Sequence, residues 1–194
     1  MNTNTVGVGA AALLIGLVGG YMLWGNTPAS PGAHMMQDGT MMSQNIDQHF
    51  IAQMIPHHEG AIAMAQVALE RSKEPKIITL ANNIIKAQEK EITDMRGWYE
   101  AWYGEAVPAT GGMGMRMGGM EGDIATLESM SLASFDKEFL KQMIPHHEMA
   151  LMMVQMLSAG TQRPEMKQLA QNIQTSQSSE IEMMRSWLNN GFGN

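Results

Sequence analysis

Residues 53–59 read QMIPHHE, and residues 142–148 read QMIPHHE again. These two copies hold four of the six histidines in a chain of 194 residues. Working outward from them, Asp47–Gly104 aligns with Asp136–Gly193 at an offset of 89 residues without a gap, and 24 of the 58 aligned positions are identical. Phe50 matches Phe139, Pro75 matches Pro164 and Gln88 matches Gln177. Glu91 matches Glu180, Met95 matches Met184, and Arg96 and Trp98 match Arg185 and Trp187. The period is longer than that of solenoid repeats and there are only two copies, so a duplicated hairpin is the simpler account.

Each copy reads as two helices. In the first, Asp47 is a candidate cap for a segment whose apolar residues recur at Phe50, Met54, Ala61, Met64 and Ala68. Pro75 marks a turn and suits the first position of the next helix. That helix carries Ile77, Leu80, Ala81, Ile84, Gln88, Glu91, Ile92, Met95 and Trp98 at helical spacing. The second copy repeats the pattern with Leu157, Leu169, Ile173, Ile181, Met184 and Trp187. Pro56 and Pro145 lie inside the first helix of each copy, where a proline kinks or restarts a helix. Four amphipathic helices with one longer crossover predict an all-α protein, a ferritin-like four-helix bundle built from two repeated α-hairpins.

Five stretches follow. Residues 1–29 contain no charged side chain, and Val6–Trp24 is an apolar run rich in glycine. That run fits either an export signal ending at Ala29 or a retained membrane anchor. In both cases the rest of the chain is expected in the periplasm or outside the cell, with membrane contact only through this segment. Residues 30–46 read as a Met/His-rich flexible tail, with His34, Met35, Met36, Met41 and Met42. Residues 47–104 are the first hairpin and 132–194 the second. Residues 105–131 are a Gly/Met-rich crossover linker with Met113, Met115, Met117 and Met120.

Composition narrows the chemistry. Net charge is −7, which makes nucleic acid an improbable partner and a cation a natural one. Cysteine is absent, which removes catalytic thiols, thiolate zinc sites and disulfide frameworks. Methionine numbers 22, several times its usual share.

On a helical wheel the paired histidines flank the apolar stripe that starts at Met54, and His57 falls almost above Met64. Met143, His146, His147 and Met153 repeat the arrangement. Thioether and imidazole on one face suit Cu(I) and Ag(I), with Cu(II) a second candidate at the histidine pairs. Methionine at helical spacing also serves as core filler. The histidines could be bonded to Gln88, Glu91, Gln177 or Glu180, as core partners or as groups that orient imidazole ligands. Met149, Met152 and Met156 fall on the face opposite Met143, where the first copy has Gly60, Ala63 and Val67. They read as further metal ligands or as a contact face for another protein. Met95 and Met184 are candidate contributions from the second helices.

Other chemistries fail on the residues. A di-iron bundle needs Glu-x-x-His, which does not occur here. The zinc-protease motif fails because Ile62 and Leu151 stand where its second histidine should be. No phosphate-binding loop or Gly-x-Ser-x-Gly is present, and a blue-copper site needs cysteine. The reading is therefore not an enzyme.

The linked pattern is Phe50, Met54-Ile-Pro-His-His, Ala61, Met64-Ala65, then Leu80-Ala81, Ile84, Gln88, Glu91-Ile92, Met95 and Trp98. It resembles the bacterial domain of unknown function 305, in both copies. The resemblance implies a ferritin-like helical bundle that binds copper and protects against its excess. The family often has Gln after the paired histidines, where Glu59 and Glu148 stand here. It often has an acidic residue four positions further on, where this chain has Ala63 and Met152. Those departures weigh against a hard metal and toward a soft one. The expected function is an exported protein that buffers or transfers Cu(I), with a copper exporter or sensor component as candidate partner. The competing expectation is a helical interaction module with Met-rich contact faces.

Overall fold

The computed structural model describes the backbone of residues 34–108 and 120–190, and the side chains of 46–108 and 124–190. The chain divides into two compact units, Met1–Thr40 and Met41–Asn194. Every side chain discussed below belongs to the second. Five helices are seen among the described residues: α1 (His34–Arg71), α2 (Pro75–Tyr103), α3 (Met120–Ser129), α4 (Leu132–Gly160) and α5 (Pro164–Asn189). All described regular structure is helical. Residues 1–29, expected as an export signal or anchor, the linker backbone at 109–119, and the side chains of Met35, Met36, Met41, Met42, Met113, Met115, Met117 and Met120 lie outside the described residues.

The hairpin turns are built alike. Ser72 Oγ accepts a hydrogen bond from the Glu74 N–H at 3.1 Å, and Thr161 Oγ1 accepts one from the Arg163 N–H at 3.2 Å. Pro75 and Pro164 then open α2 and α5, where a missing N–H costs no helical bond. α2 ends on Gly104, whose φ of 72° is left-handed and whose N–H donates to the Glu100 carbonyl. Glycine takes that conformation without a Cβ clash.

Several boundaries differ from the sequence reading. Asp47 does not cap a helix, because α1 begins at His34. Residues 34–46, expected as a flexible tail, are helical; the four methionines among them are good helix formers. Asp47 is instead buried within α1, 3.4 Å from Arg163 at the start of α5. Arg163 in turn lies over the Trp102 ring at 4.0 Å. α4 starts at Leu132, ahead of Asp136. Both α1 and α4 continue as helices through Pro56 and Pro145. Among the described residues the expected linker contains a short helix, α3, whose Leu127 is buried. Arg71 donates to the carbonyls of Glu128 and Met130 at its end.

The core forms two apolar clusters. One joins Ala61–Ala68 of α1, Ile77–Ile84 of α2, Phe135–Met143 of α4 and Ile181–Met184 of α5. The other joins Phe50–Ile55 of α1, Met95 and Tyr99 of α2, Ala150–Leu157 of α4 and Met166–Ile173 of α5. Each cluster thus takes opposite ends of α1 and α2, of α4 and α5, and of α1 and α4. That is the packing of two antiparallel hairpins. Each fully buried large apolar side chain contributes about 1.5–3 kcal/mol. On every one of the four long helices, polar residues separate the two clusters: His57 and His58, Gln88 and Glu91, His146 and His147, Gln177 and Glu180.

Candidate metal centre

That polar layer has an internal order. His58 Nε2 lies 2.8 Å from Glu91 Oε2, and His147 Nε2 lies 2.7 Å from Glu180 Oε2. Each of these histidines is therefore tied to the second helix of its own hairpin. His57 and His146 instead meet each other, with ring centroids 3.9 Å apart and planes tilted by 48°. Within each pair the adjacent rings are 6.3 and 6.4 Å apart, edge to face. Adjacent residues on a helix point about 100° apart, so one imidazole turns to its own hairpin and the other to the opposite hairpin.

All four imidazoles are buried. Burial first, and neighbouring His146 second, depress the pKa of His57 from 6.5 to about 2. The His146 backbone pulls the other way, but burial wins. His146 falls to about 3, first from burial and then from neighbouring His147. These rings are neutral at physiological pH and keep lone pairs. No hydrogen bond of good geometry reaches either ring nitrogen of His57. The Nδ1 atoms of His58 and His147, and the Oε1 atoms of Gln88 and Gln177, also have no protein partner. Buried polar atoms without partners are uncommon, and each calls for an explanation.

The methionines divide into two groups. Met54, Met64, Met95, Met143 and Met184 are fully buried in the two clusters that bound the layer. Met153 is half-buried against one of them. Met149, Met152 and Met156 are 40%, 58% and 69% exposed, a strip on the outer face of α4. The wheel placed all three away from Met143, as they are. The tertiary fold therefore brings together the four histidines, while the three outer methionines stand apart from them. Among the described residues no group of three or more His, Asp or Glu side chains stands ready to hold a metal ion. A site here would draw on imidazole nitrogen and thioether sulfur, a donor set that fits a soft monovalent ion.

Sequence reading missed three features. Arg96 pairs with Glu59 at 2.6 Å, and Arg185 pairs with Glu148. The charges stand 37 residues apart in both copies, which was a signal open to view. These pairs give the two Glu departures from the family pattern a surface role. The third is a pair of surface grooves at equivalent places in the repeat. One, of about 590 Å³, is lined by Asp94, Trp98 and Glu165. Its counterpart, of about 260 Å³, has Met183, Trp187 and Lys76 at the corresponding positions. The duplication has kept the histidine layer and the surface ion pairs alike and let the charge of these grooves diverge.

Comparison with known proteins shows what the chain is similar to. The family model for the domain of unknown function DUF305 matches residues 47–188. The structure of CopM in the Cu(I)-bound form is 44% identical, covers 74% of this chain and 96% of that one, and has a TM-score of 0.64. CopM in an Ag-bound form is 43% identical, covers 75% of this chain and 96% of that one, with a TM-score of 0.66. A DUF305 fragment from Deinococcus radiodurans is 25% identical over 84% of this chain and 99% of that one, with a TM-score of 0.66. An uncharacterized protein, L153, of Acanthamoeba polyphaga mimivirus is 46% identical over 49 residues. That match spans only 25% of this chain and 32% of the viral protein.

Proposed function

This chain belongs to the DUF305 family, and from that membership we propose that it binds copper and silver ions as a non-enzymatic carrier. Cu(I) is its preferred cargo, held by imidazole nitrogen and thioether sulfur. The observation that carries the reading is the buried layer of four imidazoles in an otherwise apolar interior. A core histidine normally has its ring nitrogens hydrogen-bonded in good geometry, and neither ring nitrogen of His57 is. The Cu(I)-bound and Ag-bound forms of CopM, alike over three-quarters of this chain, support the same ion class. CopM is also known in a Cu(II)-bound form, so the histidine pairs are the place to look for the divalent ion.

Buffering or hand-over follows from the exposed thioethers. Met149, Met152 and Met156 give an arriving Cu(I) ion accessible sulfur, which has no proton to lose. We place the protein outside the cytoplasm because residues 1–29 read as an export segment. Among the described residues no helix is long and apolar enough to cross a membrane. A role in copper resistance, with an exporter or sensor component as receiving partner, completes the reading.

Native mass spectrometry of the reduced protein with Cu(I) or Ag(I) tests it. Several retained ions are expected, and fewer after His57→Ala and His146→Ala together. No retained metal at micromolar excess would overturn it. The exposed methionine strip also favours a second reading, a contact face for an apolar partner, which predicts no retained metal.

A further inference from the structure

The two histidines of each pair differ in what holds them. His57 and His146 face each other, whereas His58 and His147 each contact a carboxylate. His58 and Glu91 sit on different helices, as do His147 and Glu180, at the same separation in sequence and almost the same distance. Both rings are fully buried, and both carboxylates are 13–17% exposed at the edge of the layer.

That geometry decides the tautomer. A carboxylate only accepts hydrogen bonds, so the nitrogen facing it carries the proton. The Nε2–H of His58 therefore donates to Glu91 Oε2, and the Nε2–H of His147 donates to Glu180 Oε2. Nδ1 of each ring has no protein partner. A proton placed there would be a buried donor with no acceptor, which disfavours the other tautomer. Nδ1 is left as a bare, buried lone pair on each ring.

Resting on the copper reading above, we infer that Glu91 and Glu180 are positioning residues that present Nδ1 of His58 and His147 as ligand atoms for a soft monovalent cation. The carboxylate acts through the ring. It fixes the orientation, holds the proton on Nε2 and raises the basicity of the opposite nitrogen. Glu59 and Glu148, next to the histidines in sequence, do not share this role, because they pair with Arg96 and Arg185 at the surface.

The test is nitrogen NMR on the full protein with ¹⁵N-labelled histidine, before and after Ag(I). In the metal-free protein His58 and His147 should be Nε2–H tautomers. On silver addition a one-bond silver–nitrogen coupling should arise on Nδ1 of both rings. Glu91→Leu should mix the tautomers of His58 and weaken silver binding roughly 10–100-fold. Glu91→Gln, which still offers an acceptor oxygen, should restore the tautomer and most of the affinity. Glu59→Gln should change neither. Coupling on Nε2, or an unchanged His58 tautomer in Glu91→Leu, would overturn the inference while leaving copper binding intact. A chain that takes up no silver would overturn both. Loss of helical signal in Glu91→Leu leaves the wild-type coupling and the Glu91→Gln variant to decide.

Discussion

His57 and His146 face each other with ring centroids 3.9 Å apart, although 89 residues separate them in the chain. They hold equivalent positions in the two hairpins, so their meeting is a consequence of packing one copy against the other. Neither can take up a proton without putting a charge into the buried layer.

Acid should therefore destabilise the metal-free protein. The unfolded chain protonates these imidazoles below 6.5, while the folded chain resists down to about 2 for His57 and about 3 for His146. Unfolding takes up protons throughout that window, so stability is full above 6.5 and is lost as pH falls below it. Near pH 5 the loss is about 2 kcal/mol for each ring. Urea midpoints at pH 7 and pH 5 measure it. The double variant His57→Leu, His146→Leu should flatten the dependence; an equally steep wild-type and variant profile would refute the assignment.

Buried and exposed methionines should separate cleanly. Met143→Ala removes a side chain with no solvent exposure and should cost about 2–5 kcal/mol. Changing Met149, Met152 and Met156 together to Leu should cost under ~1 kcal/mol, because the strip is exposed. The same triple change keeps the apolar surface and removes the sulfur. Metal counting should show fewer ions retained. An unchanged count would return the strip to the role of a contact face.

The surface ion pairs should matter little to folding. Arg96 with Glu59 and Arg185 with Glu148 have all four side chains 42–58% exposed. Glu59→Gln and Glu148→Gln should each change stability by less than ~1 kcal/mol in a thermal melt. A larger loss would mean that these pairs clamp the hairpins.

Gly104→Ala should destabilise through the backbone alone. At φ 72° a Cβ is strained even though nothing lies within 4 Å of it. A loss of about 1 kcal/mol is expected, read as a lowered melting temperature. No loss would show that the end of α2 rearranges freely.

The two hairpins were legible in the sequence because helical periodicity is local and duplication wrote it twice. Phe50, Met54, Ile77, Leu80, Ile173 and Met184 all lie in the core where the pattern put them. Pro75 and Pro164 opened their helices as a fixed φ and a missing N–H require. The outward set of Met149, Met152 and Met156 followed from the wheel alone. Asp47 misled because a capping residue has the same identity as a buried ion-pair partner, and its Arg163 stands just ahead of α5, far from it along the chain.

The division of labour among the histidines was decided only by tertiary structure. The sequence determined that two identical imidazole pairs would each flank an apolar stripe. It left open which ring of each pair would turn to its own hairpin and which to the other. The fold settled this by laying α1 and α4 antiparallel at the level of their histidines. One ring per helix then faces its twin, and the other reaches a carboxylate on the neighbouring helix. Spacing along one helix fixes the angle between side chains. Only the packing of a second helix fixes what stands at the end of each.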